Sequence, residues 1–582
     1  MNAALTRLLN PFQLPSLDDP DIWPLESLGL PQAPGMDRPA FLSTTVAPSA
    51  GSLVSAGAAM GLLADVAAQT YGLTGKGITI GIMSNSFNLT GGYAADVQRG
   101  DLSAGVKILK EGPTGGHDEG AAMAELVHKI APGAQIVFYS AFNGVADFAN
   151  GIKALASAGA NIIVDDVTYL NESFYQQGGA IAQAVQQVVN AGVSYFTSAS
   201  NEGSNFFETK FTGMKTALAG VSGSYVAENF GTATAPSTTQ SLTIAKGATA
   251  TIDLQWDQPF ASIGSGHSSA NSLGMVLYDS SNHVVAYALK NDVGGDPVQI
   301  LQFTNTTGGT GFRLAIFENA GSALPGEFKY VVYGQGTVIN DSRAGKGSGT
   351  IIGHEEVAAA NTVGAVAYSS TARFGGANTV ESFSSAGPGQ FLFDANGNRL
   401  ATPVAPGGVD FLATDGAQTS VFNPFYGTSA AAPDAAAVAA LMLQANKTLA
   451  PSQVTSILDA SAIKATGPTG TTGAGLIQAT TAVKLAQTTK GTLTTATVSA
   501  GAATGAAGAA VTHAADDMAG VVSNLADDPT AMGDFTASLD FASGLILPDA
   551  LSVPGAGMDA LAMLNSSAML LPFDTSRAMQ LG

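Results

Sequence analysis

The chain has 582 residues, of which 46% are hydrophobic and 12% charged, a composition typical of a globular protein large enough for two or three domains. Its net charge of -21 argues against nucleic acid or an anionic membrane as a partner. The absence of cysteine excludes disulfides, thiolate metal sites and a cysteine nucleophile. Neither a cleavable signal peptide nor a membrane span is expected, yet the composition is compatible with export, so we expect a secreted or cell-surface protein.

The chain opens with a segment rich in proline, serine and alanine, which predicts a leader or mobile arm over residues 1–60. Apolar strands and amphipathic helices then alternate, a pattern that predicts βαβ units around a mostly parallel sheet flanked by helices, an α/β fold. The predicted strands are 78–83, 135–140, 161–164 and 193–197, and the predicted helices are 121–130, 146–156 and 180–190.

A second pattern interrupts the first. Short alternating strands such as 241–244, 251–256 and 328–333 predict a β-sandwich inserted at residues 225–345. The α/β pattern returns at 362–368, so we expect one domain over 61–487 that this insert interrupts. Residues 488–582 are rich in alanine, glycine and threonine and then acidic, which predicts a low-complexity tail.

Residues 427–433 read Gly-Thr-Ser-Ala-Ala-Ala-Pro and lead into an apolar helical stretch. Gly427 permits close backbone approach, and Ser429 falls where the first N–H groups of a helix have no partner. Pro433 is still within the first turn, where its missing N–H costs little. An isolated Gly-Thr-Ser is more often a helix cap than a nucleophile. The full motif resembles the nucleophile segment of subtilisin-like serine peptidases.

Three further segments resemble that family and follow its chain order. Residues 75–88 are similar to the first strand, whose end carries the triad aspartate. Depending on whether one residue is inserted, Ser84 or Asn85 takes that place, and the following Ser86 makes Asn85 the better match. Residues 194–203 are similar to the segment whose asparagine helps to form the oxyanion hole, which implies that role for Asn201. A turn residue is the alternative interpretation of Asn85.

Residues 117–135 resemble the family's helix that begins with the catalytic base. The ungapped match places Glu119 there, as in the sedolisin branch, although a carboxylate at a helix start can also be a capping charge. The position of the acid expected one turn later is Met123, which leaves Glu119 without its acidic partner. His117 is the competing base, because imidazole titrates near neutrality.

Asp165 and Asp166 end an apolar strand in a region that lines the substrate groove of subtilisin-like folds. Neighbouring residues of a strand face opposite ways, so only one of the two can point into the site. That carboxylate could orient Glu119, select a basic side chain or cap a helix.

The resemblance implies a serine endopeptidase that cleaves polypeptides through an acyl-enzyme on Ser429, with Glu119 as base and Asn85 orienting it. An ordinary glutamate pKa near 4.3 predicts activity in mild acid unless burial raises it. Asn85 cannot share a proton as an aspartic acid would, so we expect a slower enzyme. The alternative is a degenerate peptidase fold that binds peptide or protein without cleavage, with the insert as its recognition element. No cofactor is expected for the chemistry, a structural calcium fits the family, and the oligomeric state is left open.

Overall fold

The computed structural model describes residues 52–264, 266–321, 323–340 and 349–492. The predicted leader up to residue 51 and the predicted tail from residue 493 onwards lie outside the described residues. No helix within the described ranges is both long and apolar enough to cross a bilayer.

The helices are α1 Gly57–Gly61, α2 Ala64–Tyr71, α3 Tyr93–Arg99, α4 Glu119–Ile130, α5 Val145–Ser157, α6 Ala180–Asn190, α7 Thr428–Ala445, α8 Pro451–Ser461 and α9 Ala479–Thr488. The strands are β1 Thr79–Ser84, β2 Lys107–Lys110, β3 Gln135–Ser140, β4 Ile162–Asp165, β5 Ser194–Ser198, β6 Phe206–Lys210, β7 Gly213–Leu218, β8 Val221–Glu228, β9 Gln240–Ile244, β10 Thr249–Trp256, β11 Asn271–Asp279, β12 Val284–Ala288, β13 Val298–Thr304, β14 Gly311–Gly321, β15 Glu327–Tyr333, β16 Thr337–Ile339, β17 Ala360–Ala367, β18 Phe391–Phe393, β19 Arg399–Val404 and β20 Phe411–Asp415.

The central sheet has seven parallel strands in the order β2-β3-β1-β4-β5-β17-β20. Both of its faces are covered, which is why strands such as β4 and β17 are buried along their whole length. One face packs on α4 and α7, and the other packs on α5 and α6. The predicted α/β fold with a mostly parallel sheet is confirmed.

The strand order places the polar loops of the sheet together. From β1 the chain moves outward to β2 and β3, and then returns to β4 on the other side of β1. Ligands of open α/β sheets bind beyond the carboxyl ends of the strands at such a reversal. Asn85 follows β1, Asp166 follows β4, and Asn201 lies beyond the end of β5. The three side chains singled out from the sequence therefore occupy one edge of the sheet.

The antiparallel strands β6 to β16 form two sheets with a shared apolar core, the predicted β-sandwich. Its core includes Trp256, Phe328 and Tyr330, all fully buried. These strands begin at Phe206, upstream of the predicted start at 225, because β6 pairs with β15 and β7 pairs with β8. The division of the chain into separate domains remains a prediction.

Candidate active site

Ser429 is the second residue of α7, and only 6% of its surface is exposed. Gly427, just before the helix, has φ 122°, a left-handed backbone that side-chain-bearing residues rarely adopt. Its N–H donates to Asp415 at the end of β20 (3.0 Å). Burial raises the pKa of Asp415 well above its ordinary value. The hydrogen bond to Asp415 thus fixes the turn before Ser429 to the end of β20.

Asn201 holds the same turn from the neighbouring strand. Its Oδ1 accepts hydrogen bonds from the N–H (2.9 Å) and the hydroxyl (3.0 Å) of Thr428. Because the amide oxygen is used in this way, the Nδ2 donor is left on the opposite side of the amide group. Asn201 itself is exposed, so this donor is accessible from solvent.

Glu119 is the first residue of α4 and is 7% exposed. The Ser429 hydroxyl and the Asp166 carboxyl group both approach it closely enough to lower its pKa. Burial outweighs both contacts and raises the pKa of Glu119 to about 7. The structure therefore brings Ser429, Glu119 and Asp166 together.

Asp166 faces this cluster from the end of β4. Its Oδ2 accepts a hydrogen bond from Ser84 (3.2 Å), whereas its buried Oδ1 has no partner. Burial, and next the neighbouring charge of Glu119, raise the pKa of Asp166 well above its ordinary value. Two such carboxyl groups cannot both ionise easily, so the pair is expected to hold one proton at neutral pH.

Asn85 contacts Glu119 in two ways. Its Oδ1 accepts from the backbone N–H of Glu119 (3.1 Å), and its Nδ2 donates to Oε2 of Glu119 (3.5 Å). The first contact fixes the start of α4, and the second is long. The sequence left open that one of Asp165 and Asp166 could orient Glu119, and Asp166 is the one that lies beside it. Met123, where the partner was sought along the helix, is a buried core residue.

The remaining candidates lie elsewhere. Asp165 points to the opposite face of the sheet, where it accepts hydrogen bonds from Tyr195 (2.5 Å) and Thr197 (3.0 Å). His117 is exposed and lines a cavity of about 410 Å³ with Phe87 and Phe422. The hydroxyl of Ser429 approaches Glu119, and Ser429 is not among the residues that line the cavity of His117. Neither Asp165 nor His117 belongs to the cluster around Ser429.

The best candidate for a calcium site among the described residues consists of Asp96, Asp101 and Glu125. Arg99 donates hydrogen bonds to both aspartates, so a cation already lies among them. The Arg99 guanidinium therefore occupies the position among the aspartates that a calcium ion would need. These residues do not fit a calcium ion.

A family model for subtilases matches residues 114–497, more than half of the chain. The chain belongs to the subtilase family. It is accordingly a hydrolase of the serine peptidase type, with polypeptide as its class of substrate. The matched range includes Glu119, Asn201 and Ser429 but begins after Asn85.

Solved structures similar to this subtilase are distant. The CspB protease of Clostridium perfringens is 11% identical, with a TM-score of 0.47, and the match covers 75% of this chain and all of that one. MycP1 without its N-terminal propeptide is 15% identical, with a TM-score of 0.33 and coverage of 73% and 96%. A cold-adapted subtilisin-like proteinase is 14% identical, with a TM-score of 0.30 and coverage of 70% and 90%. No curated protein matches the sequence.

Proposed function

We propose that this subtilase is an endopeptidase in which a carboxylate, rather than an imidazole, activates the serine. Ser429 is the nucleophile, Glu119 is the general base, and Asp166 holds the proton that the two acids share. The observation that carries the proposal is the convergence of these three side chains in one buried cluster, where burial raises the pKa of Glu119 to about 7. A base with a pKa near the working pH is the most effective one.

In the first half of the reaction, the Ser429 oxygen attacks the peptide carbonyl as Glu119 takes its proton. The Nδ2 of Asn201 and the backbone N–H of Ser429 donate to the oxyanion that forms. Glu119 then passes its proton to the leaving nitrogen as the C–N bond breaks. In the second half, water attacks the acyl-enzyme, Glu119 takes a proton from that water, and Ser429 recovers its hydrogen.

Asp166 can share a proton with Glu119, which Asn85 cannot do. A protonated Asp166 can donate to ionised Glu119, keep it oriented, and strengthen the bond as charge develops. Asn85 retains a supporting task, because it fixes the backbone at the start of α4. The slower enzyme expected from Asn85 alone is therefore not what we propose.

The pH dependence follows from the shared proton. The active form carries one proton on the pair, and its formation requires the loss of the first proton from the doubly protonated pair. Because burial raises the pKa of Glu119 to about 7, activity should rise as the pH increases through this value. We therefore propose a near-neutral optimum in place of the mildly acidic one that an ordinary glutamate would give.

The test is hydrolysis of an unfolded protein between about pH 3 and 9, a range that spans the carboxylate and imidazole pKa values. We expect turnover by the wild type and its loss in Ser429→Ala and Glu119→Gln. Glu318→Gln, the same change in the insert, serves as the matched control and should behave as the wild type. If the wild type is as inert as Ser429→Ala, the chain is instead a binding protein on a peptidase fold, with the insert as its recognition element. If Glu119→Gln keeps activity and His117→Ala abolishes it, the base is the histidine.

We further propose that the protein acts in secreted or cell-surface form, which its cysteine-free composition permits. The chemistry needs no cofactor, and any structural calcium would be held outside the Asp96, Asp101 and Glu125 group.

A further inference from the structure

A fully buried histidine lies behind the candidate site. His354 belongs to the short 3-10 helix Gly353–Glu356 and packs edge-on against the ring of Phe148, 5.2 Å away. Its Nε2 lies 3.2 Å from Oδ1 of Asp165, and its Nδ1 lies 2.6 Å from Oε2 of Glu172. Burial lowers the pKa of His354, but the two carboxylates more than compensate and raise it well above its ordinary value. Each ring nitrogen of His354 thus faces a carboxylate oxygen, an arrangement in which the doubly protonated ring donates at both ends.

The carboxylate of Asp165 is held by several hydrogen bonds on this face of the sheet. Besides His354, it accepts from Tyr195 (2.5 Å), Thr197 (3.0 Å) and the N–H of Val167 (3.3 Å). Asp165 is completely buried, so its orientation has no freedom towards solvent. Since it is the last residue of β4, these contacts fix the backbone where the strand ends.

The direction of Asp166 follows from that of Asp165. Successive side chains at a strand end face opposite sides, and Asp166 is the next residue. With Asp165 held on the far face, Asp166 must project towards Glu119 and Ser84. A rotation at the end of β4 would move the Asp166 carboxyl group away from the base.

The contacts that run from Asp165 through His354 to Glu172 continue to the inserted sandwich. Glu172 also accepts a hydrogen bond from the backbone N–H of His354 (3.1 Å), so it contacts both the ring and the backbone of this histidine. Gln255 of the insert donates to the backbone oxygen of Glu172 (2.8 Å) and accepts from the N–H of Phe174 (2.8 Å). The loop that carries Glu172 is thus hydrogen-bonded to β10.

We infer that His354 is a positioning residue of the peptidase: by binding Asp165 and Glu172 it fixes the end of β4, and so sets the placement of Asp166 against Glu119. This inference rests on the proposed function. His354 touches neither the substrate nor Ser429, so its effect should appear in the turnover number and not in substrate affinity.

The experiment compares His354→Gln with Val185→Ala in the full-length protein. Val185 is fully buried in the apolar cluster on the same face of the sheet, and no hydrogen bond of its side chain links it to the acids. Both variants should lower the melting temperature. Since misplacement of a catalytic group by about 1 Å can cost roughly 100-fold, His354→Gln should lose about 10- to 100-fold in kcat with KM nearly unchanged. Val185→Ala should retain the kcat of the wild type, when assayed below its melting temperature.

A kcat for His354→Gln within about twofold of the wild type, well inside the 10- to 100-fold loss expected for misplacement, would overturn the inference. If His354→Gln does not fold, Glu172→Gln and Tyr195→Phe test the inference in its place. Each of them removes one hydrogen bond of the chain of contacts that holds Asp165 and His354. A lower kcat at constant KM in both supports the inference, and an unchanged kcat in both refutes it. A wild type without Ser429-dependent turnover removes the proposed function and this inference together. Wild-type turnover with an unimpaired His354→Gln removes only the inference.

Discussion

Replacing Asp166 by alanine should shift the pH profile of the enzyme towards alkaline pH. Burial has raised the pKa of Glu119 to about 7, and the Asp166 contact is one of two that oppose the rise. A hydrogen bond to a charged group is worth about 1.5–3 kcal/mol, and one pKa unit corresponds to about 1.4 kcal/mol. Loss of the contact should therefore raise the pKa of Glu119 by roughly one to two units, and turnover at pH 7 should fall about 5- to 50-fold, because half of the wild-type Glu119 is ionised at that pH.

The assay is kcat/KM for a peptide substrate as a function of pH, normalised to the active fraction by titration with a fluorophosphonate. Asp166→Asn is the matched control. Its amide oxygen can still accept from Ser84, which leaves the N–H₂ group where the unpartnered Oδ1 lies. The acidic limb of this variant should stay close to pH 7. If Asp166→Ala has the same acidic limb as the wild type, Asp166 does not support the base and our reasoning is wrong.

Three further outcomes are expected. Asn201→Ala should lower kcat about 100- to 1,000-fold, as measured by steady-state kinetics, because it removes an oxyanion donor; a loss below tenfold would contradict that role. Asn85→Asp should lower activity at pH 7, because a third carboxyl group near Glu119 raises the pKa of the base; increased activity would instead indicate a decayed triad. Glu125→Gln should raise the melting temperature at pH 9 but not at pH 5. The pKa of Glu125 is raised to about 8, so folding favours its protonated form. The stability that Glu125 contributes is therefore present below about pH 4.5 and is lost as the pH rises towards 8. Equal melting temperatures of Glu125→Gln and the wild type at pH 9 would refute this.

Local sequence patterns were sufficient for much of the fold. The predicted strand 135–140 and helix 180–190 have the bounds observed for β3 and α6, since both have a clear apolar period. The glycine before Ser429 and the alanine-rich run after it placed the serine at a helix start, where the structure has it. Strand β6 lies before the predicted start of the insert, and its partner β15 is far along the chain, so local sequence could not assign it to the sandwich.

The site was only partly predictable for a similar reason. Strand alternation showed that only one of Asp165 and Asp166 could face the site, but which of them does so depends on the register of β4 in the sheet. The family pattern places an acidic partner of Glu119 along its own helix, at Met123, whereas the carboxyl group beside Glu119 is that of Asp166 at the end of β4. The pKa of Glu119 depends on burial by α7 and the sheet, and His354 carried no motif that tied it to Asp165. These features are products of tertiary packing.

The most direct measurement is the rate at which a fluorophosphonate labels Ser429 as a function of pH, with the modified residue identified by mass spectrometry. In the wild type the rate should rise as the pH passes through about 7, the value to which burial raises the pKa of Glu119. In Glu119→Gln the rate should fall at least about 100-fold and lose this pH dependence, because general-base assistance is worth about 100- to 10,000-fold. Labelling of Glu119→Gln at the wild-type rate would contradict the claim that Glu119 activates Ser429.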